Sequence, residues 1–210
     1  IGATTVGGMI NNVKTFASVL MPGVQHMRHT HLPEHKFVKG QPETGVEMAE
    51  DLERIAMNFG GENIAACIVE PIAGSTGTLV PPKGYLKRIR EICDKHGILL
   101  IFDEVITGWG RTGSAFAAQE FGVTPDMITM AKATTNGVIP MGVVAVKEEM
   151  YDAVLDSSSN PEGTPELFHG YTYSGIPAAV AAGLAVQDIF DKEDIFNRAK
   201  ELSPYLQDGL

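Results

Sequence analysis

Three apolar stretches of this chain each run out onto a side chain that can carry a proton. Ile64-Ala65-Ala66-Cys67-Ile68-Val69 leads to Glu70, Ile98-Leu99-Leu100-Ile101-Phe102 to Asp103, and Met127-Ile128-Thr129-Met130-Ala131 to Lys132. Read as parallel strands, they would deliver two carboxylates and an amine to the carboxyl edge of a sheet, where open α/β proteins place their ligand crevice. That set suits a cofactor needing an amine for an imine and an acid for a ring nitrogen. An ammonium next to a buried strand is costly to leave unpaired, and a desolvated lysine that turns neutral can form a Schiff base, which is the chemical reading of Lys132. The alternative for Lys132 is a strand-end side chain reaching solvent.

The other chemical candidates carry plainer alternatives. Asp103-Glu104 after an apolar run also occurs in phosphate-loop ATPases, but the Gly-Lys of such a loop is nowhere in the sequence. A structural carboxylate stays open for Asp103. Glu70-Pro71 can be an ordinary turn, because Pro cannot donate to a ladder. His26, His29, His31 and His35 fall within ten residues but match no zinc spacing, so they are read as a polar loop rather than a metal site. Tyr171-Thr172-Tyr173-Ser174-Gly175 ahead of Pro177 could offer a hydroxyl and backbone N–H groups to a phosphate, or simply cap a helix.

The elements that must position these groups are legible in the apolar periodicity. Thr44 and Glu47 have the spacing of a capping box, and Met48, Leu52, Ile55, Ala56 and Phe59 follow at helical intervals up to Gly60-Gly61. Tyr85, Leu86, Ile89, Ile92 and Cys93 mark a second helix that ends near His96-Gly97. Gly108 to Gly113 is too glycine-rich for regular structure. A short helix is expected over about 114–121, a strand over Val143–Val146, a helix from Lys147 to Leu155 and a flexible loop from Ser157 to Pro161. Pro177 opens an Ala-rich helix, and a final helix starts near Asp194. Strands alternating with helices mean an α/β fold with a largely parallel sheet.

Composition narrows the function classes. The 210 residues are 44% hydrophobic and 20% charged with a net charge of −10, and the sequence pI is about 5.0. Nucleic acid and anionic membranes are poor partners for such a chain. No apolar run approaches the ~20 residues of a bilayer span. Cys67 and Cys93 sit in apolar stretches and read as buried free thiols in a reducing, cytoplasmic setting. The first residues, Ile1-Gly2-Ala3-Thr4-Thr5, have no initiator Met or basic signal start, and Leu206-Gln207-Asp208-Gly209-Leu210 stops in or just after a helix, so the chain reads as an internal piece of a longer protein.

Taken in order, Glu70-Pro71-Ile72-Ala73-Gly74, Leu99 through Gly108, Gly110-Arg111-Thr112-Gly113, Pro125 through Lys132 and His169 through Gly175 resemble the class III pyridoxal-phosphate aminotransferases, in the ω-amino acid (β-alanine):pyruvate branch. The resemblance covers essentially the whole chain and about the central half of a family member. It implies the large domain of the fold-type I transferases, with residues 1–190 belonging to that domain and 191–210 beginning the small C-terminal domain. It further implies that Lys132 carries the aldimine of pyridoxal 5'-phosphate and shuttles the proton, and that Asp103 pairs with the pyridine nitrogen. Val105 would pack on the ring and Glu70 would support Asp103. Thr172, with the backbone at Tyr171, would hold the cofactor phosphate of a neighbouring subunit in a homodimer or tetramer.

Several positions depart from neighbouring branches. Ser75 and Ile106 replace the Glu and Gln of the ornithine and γ-aminobutyrate branches, which points to an ω-amino acid or primary amine donor with pyruvate or another 2-oxo acid as acceptor. Trp109 stands where the family usually has Phe, and Ile176 where it often has His. The family's upstream phosphate segment, ring-stacking aromatic and carboxylate-binding Arg have no counterpart in the sequence, so the 210 residues alone are expected to have little or no activity. The competing readings are a dialkylglycine decarboxylase or glutamate-1-semialdehyde aminomutase, a cofactor-free non-enzymatic module, and a nucleotide hydrolase built on Asp103-Glu104.

Overall fold

The computed structural model describes residues 1–157, 167 and 169–209. The chain divides into two compact units, one of Ile1–Ala65 with Ile72–Ile98 and the other of Ala66–Pro71 with Leu99–Leu210. The expected loop over Ser157 to Pro161 lies outside the described residues apart from Ser157 itself.

The first unit opens with two short helices, α1 (Gly2–Val6) and α2 (Ile10–Thr15), and centres on α3 (Glu50–Phe59) and α4 (Tyr85–His96). The apolar stripe on α3 buries Leu52, Ile55 and Ala56 as its spacing requires, whereas Phe59 at the end of the stripe is exposed. All five residues of the α4 stripe are buried, with Ile89, Ile92 and Cys93 fully so. Gly97 ends α4 at φ 68°, a left-handed cap that a side chain resists, and its N–H returns to the Cys93 carbonyl.

The capping box expected at Thr44 does not form. The chain enters α3 through a 3-10 turn, Val46–Ala49, whose N-cap is Gly45, and no side chain caps it. The Thr44 hydroxyl is instead engaged by His35 Nε2 at 3.2 Å. A buried imidazole needs partners for both nitrogens, and that demand outweighs the local cap. His35 Nδ1 lies 3.2 Å from the Thr30 carbonyl, to which it donates when protonated, and 3.4 Å from the Leu32 N–H, from which it accepts in the other tautomer, so either form ties this loop together.

The second unit holds the whole sheet: β1 (Ala66–Val69), β2 (Leu99–Asp103), β3 (Met127–Met130) and β4 (Val143–Val146), in the order β1-β2-β3-β4. β1, β2 and β3 are parallel, and β4 adds an antiparallel edge. The registers Ile68↔Ile101 and Asp103↔Thr129 bring the carboxyl ends of the three parallel strands to one side. Leu100 and Phe102 are fully buried, whereas Leu99 and Ile101 on the other face are half-buried, so the continuous apolar run of this inner strand is fully covered on one face.

Helix α5 (Ala117–Glu120) is shorter than the sequence suggests, and α6 (Glu148–Asp156), α7 (Pro177–Lys192) and α8 (Ile195–Asp208) complete this unit. The Gly108 to Gly113 loop is shaped by contact with α8. Gly110 has φ +93°, and a Cβ there would lie 2.9 Å from the Phe196 ring. Cys67 and Cys93 are both buried and neither is in a disulfide, as expected.

Candidate active site at the strand ends

Asp103 is the last residue of β2 and Lys132 comes two residues after the end of β3, so neighbouring parallel strands bring both to the carboxyl edge. Glu70 follows β1 directly, is exposed, and precedes the buried Pro71. Strand order therefore sets Glu70, Asp103 and Lys132 along one edge in that sequence.

Asp103 is half-buried, and its Oδ1 accepts the Val105 N–H at 3.1 Å. Among the described residues Oδ2 accepts nothing, which leaves one carboxylate oxygen for an N–H donor beyond the strand. Val105, the next turn residue, is half-buried beside it. Glu104 points the other way, since alternate residues of a strand face opposite sides. It is 1% exposed, and its Oε2 accepts the Ala117 N–H at 2.6 Å and the Thr107 hydroxyl at 3.1 Å. Its Oε1 accepts the Ala118 N–H at 2.8 Å. Glu104 thus caps α5, fully occupied in holding the loop, and is unavailable as a metal or nucleotide ligand.

Lys132 is exposed, so its amine reaches solvent and is not the desolvated ammonium that the buried strand before it led one to expect, and it has φ 46°, a left-handed conformation for a residue with a Cβ. It opens a 3-10 turn, Lys132–Thr134, that receives the chain from the extended Ala131. Strain of this kind, on the order of 1–3 kcal/mol, persists only where the surroundings impose it, and it gathers at functional sites. Tyr171 and Thr172 are exposed in a turn ahead of α7, where the Tyr171 N–H donates to Ser174 Oγ at 3.0 Å.

Sequence reasoning missed the residues that fasten this edge. Asp126 is 8% exposed, and its Oδ2 accepts the Leu100 N–H at 2.8 Å while Oδ1 pairs with Lys147 at 2.6 Å. An acid between Pro125 and an apolar strand was the available signal. Thr134, 3% exposed, receives the indole N–H of Trp109 at 3.0 Å. Among the described residues no group of three or more His, Cys, Asp or Glu could hold a metal, and no helix is long and apolar enough to cross a membrane. A depression lined by the charged residues Lys147, Glu148, Glu149 and Asp152 lies at the start of α6.

The α/β fold thus brings to one sheet edge a carboxylate oxygen that accepts nothing among the described residues and a lysine in a left-handed turn. Residues 2–210 match the family model of the class-III aminotransferases, and the chain belongs to that family. It is 56% identical over 210 residues to an omega-aminotransferase of Caulobacter vibrioides, and 47% identical over 211 residues to a beta-alanine–pyruvate aminotransferase of Pseudomonas aeruginosa. All of this chain takes part in both alignments, and it spans 47% and 46% of those relatives, about half their length. An omega transaminase of Pseudomonas jessenii solved in complex with PMP superposes with a TM-score of 0.89 at 32% identity, over 100% of this chain and 46% of that one.

Proposed function

We propose that the protein containing this chain is a pyridoxal-phosphate transaminase. It would move an amino group from an ω-amino acid or primary amine to pyruvate or another 2-oxo acid by a ping-pong route. The observation that carries the reading is the arrival of Asp103 and Lys132 at the carboxyl ends of adjacent parallel strands in a chain of this family. In this reading residues 1–190 belong to the large cofactor domain and 191–210 begin the small one. The protein works in the cytoplasm as a homodimer or tetramer.

The residues present fit the cofactor. When bound, pyridoxal 5'-phosphate supplies an electron sink conjugated to the substrate nitrogen. Lys132 Nζ would hold the cofactor, and its amine is the group placed to carry a proton to and from the substrate. Its strained turn fixes where that nitrogen can reach. Asp103 Oδ2 would accept the ring N–H and keep the proton there, while the Val105 N–H on Oδ1 holds the carboxylate in place. Val105 would pack on a ring face, and Glu70 would support Asp103 from the neighbouring strand end. Tyr171 N–H and the Thr172 hydroxyl, exposed ahead of α7, are available to the phosphate held by a second copy of the chain.

The test uses the full-length protein loaded with pyridoxal phosphate and given β-alanine alone. The expected result is one equivalent of carbonyl product per site, with continued turnover only after pyruvate is added. Carbon dioxide released from a 2,2-dialkylglycine offered in its place, or turnover without an acceptor, would replace this reading with a decarboxylase or a mutase.

A further inference from the structure

Trp109 and Thr134 form a hydrogen-bonded pair that leads directly to the strained turn at Lys132. The direction of each bond follows from donor inventory. An indole N–H only donates, so Thr134 Oγ1 must accept it at 3.0 Å. The single hydroxyl proton is then left for the Ala131 carbonyl, also at 3.0 Å. The Thr134 N–H donates to the same carbonyl at 3.0 Å, so Ala131 C=O is gripped twice by one residue. Ala131 immediately precedes Lys132, and its carbonyl orients the peptide plane that sets the Lys132 φ of 46°.

The pair is itself held firmly. Thr134 is buried, and the backbone of Gly183 on α7 lies close enough that a Cβ there would come within 3.5 Å of the Thr134 carbonyl. The indole lies 5.2 Å from the Phe116 ring and stacks at 6.0 Å on Phe190 of α7. The Trp109 N–H bonds the Ala115 carbonyl at 2.6 Å, which closes the glycine-rich loop around the ring. A phenyl ring would fill much of the same space but would bring no donor. Thr134 would then keep its bond to Ala131 and lose the partner that fixes its rotamer.

We propose that Trp109 and Thr134 are positioning residues for Lys132: the chain Trp109 Nε1–H to Thr134 Oγ1–H to the Ala131 carbonyl imposes the left-handed turn that aims the Lys132 amine. The inference rests on the reading of Lys132 as the cofactor lysine. Neither residue need touch cofactor or substrate. Bonds in series polarise one another, so removing either member loosens the same carbonyl.

The experiment uses the full-length protein with pyridoxal phosphate and the variants Trp109→Phe, Thr134→Val and Thr134→Ser. Borohydride trapping on Lys132 of the unmodified protein comes first, and an unlabelled Lys132 would remove the foundation rather than the pair. With that label present, Trp109→Phe and Thr134→Val should each slow the half-reaction with the amine about tenfold while the amine KM stays within about twofold. Each should also move the pH midpoint of the bound cofactor's visible absorption. Thr134→Ser, which keeps the hydroxyl, should restore both. The double variant should be no slower than the slower single one. A purely structural pair would lower Tm and leave the absorption midpoint and half-reaction rate as they were, and that result in folded protein would overturn the proposal.

Discussion

Replacing Glu104 by Gln should open α5 without unfolding the sheet beside it. The carboxylate is 1% exposed and accepts three hydrogen bonds, from Ala117 N at 2.6 Å, Ala118 N at 2.8 Å and the Thr107 hydroxyl at 3.1 Å. A glutamine has one acceptor oxygen. Its best orientation keeps that oxygen on Ala117 and Thr107 and turns an NH2 group toward the Ala118 N–H. Hydrogen bonds to a charged acceptor contribute roughly 1.5–3 kcal/mol each, and about half of that survives on a neutral one. At the lower end of that range, one bond lost and two halved sum to about 3 kcal/mol, or a local opening constant raised on the order of a hundredfold. Hydrogen exchange of the full-length protein, resolved to the Ala117 and Ala118 amides, reads this directly. Those amides should exchange about a hundredfold faster in Glu104→Gln, while Leu100 and Phe102 in the core strand keep their protection. Exchange at Ala117 and Ala118 within threefold of the unmodified protein would refute the capping role.

Three other outcomes follow from the same contacts. Asp126→Ala strips the Leu100 N–H and Lys147 of a buried carboxylate and should lower stability by about 3 kcal/mol, measured by urea unfolding at fixed protein concentration. Asp103→Asn keeps an oxygen for the Val105 N–H but removes the charge that would retain a ring proton, so the amine half-reaction should slow about a hundredfold with the fold intact by circular dichroism. The hydrogen bond from Lys95, with a further one from His96, holds the Glu53 carboxyl below its ordinary value of 4.5. A depressed carboxyl stabilises the fold above that ordinary value and loses its contribution as pH falls through the lower folded value. Glu53→Gln should therefore flatten the acid limb of Tm against pH below about 4.5, and added salt should shrink the difference between the two proteins.

How much of this was legible beforehand depended on whether one local signal acted alone. The α4 stripe and the β2 run carry a single strong period each, and both elements formed where that period places them. Parallel pairing of β1, β2 and β3 followed from strands alternating with helices, and it brought Glu70, Asp103 and Lys132 to one edge. The capping box at Thr44 failed because the hydroxyl had a second claimant, the buried His35 ring, which lies nine residues away and invisible to any local rule. Glu104 could not be told from Asp103 by type. Strand alternation turns one toward the open edge and the other into the N–H groups of a helix thirteen residues on. The left-handed turn at Lys132 had no glycine or asparagine to announce it, because it is imposed from outside by Thr134 and Trp109.

The central claim is that Lys132 is the residue that holds the cofactor. The full-length protein is incubated with pyridoxal phosphate, reduced with borohydride, digested and mapped by mass spectrometry. The account predicts a phosphopyridoxyl group on Lys132, absent from Lys132→Ala. An unlabelled Lys132 in folded protein, or a label on another lysine, would contradict it.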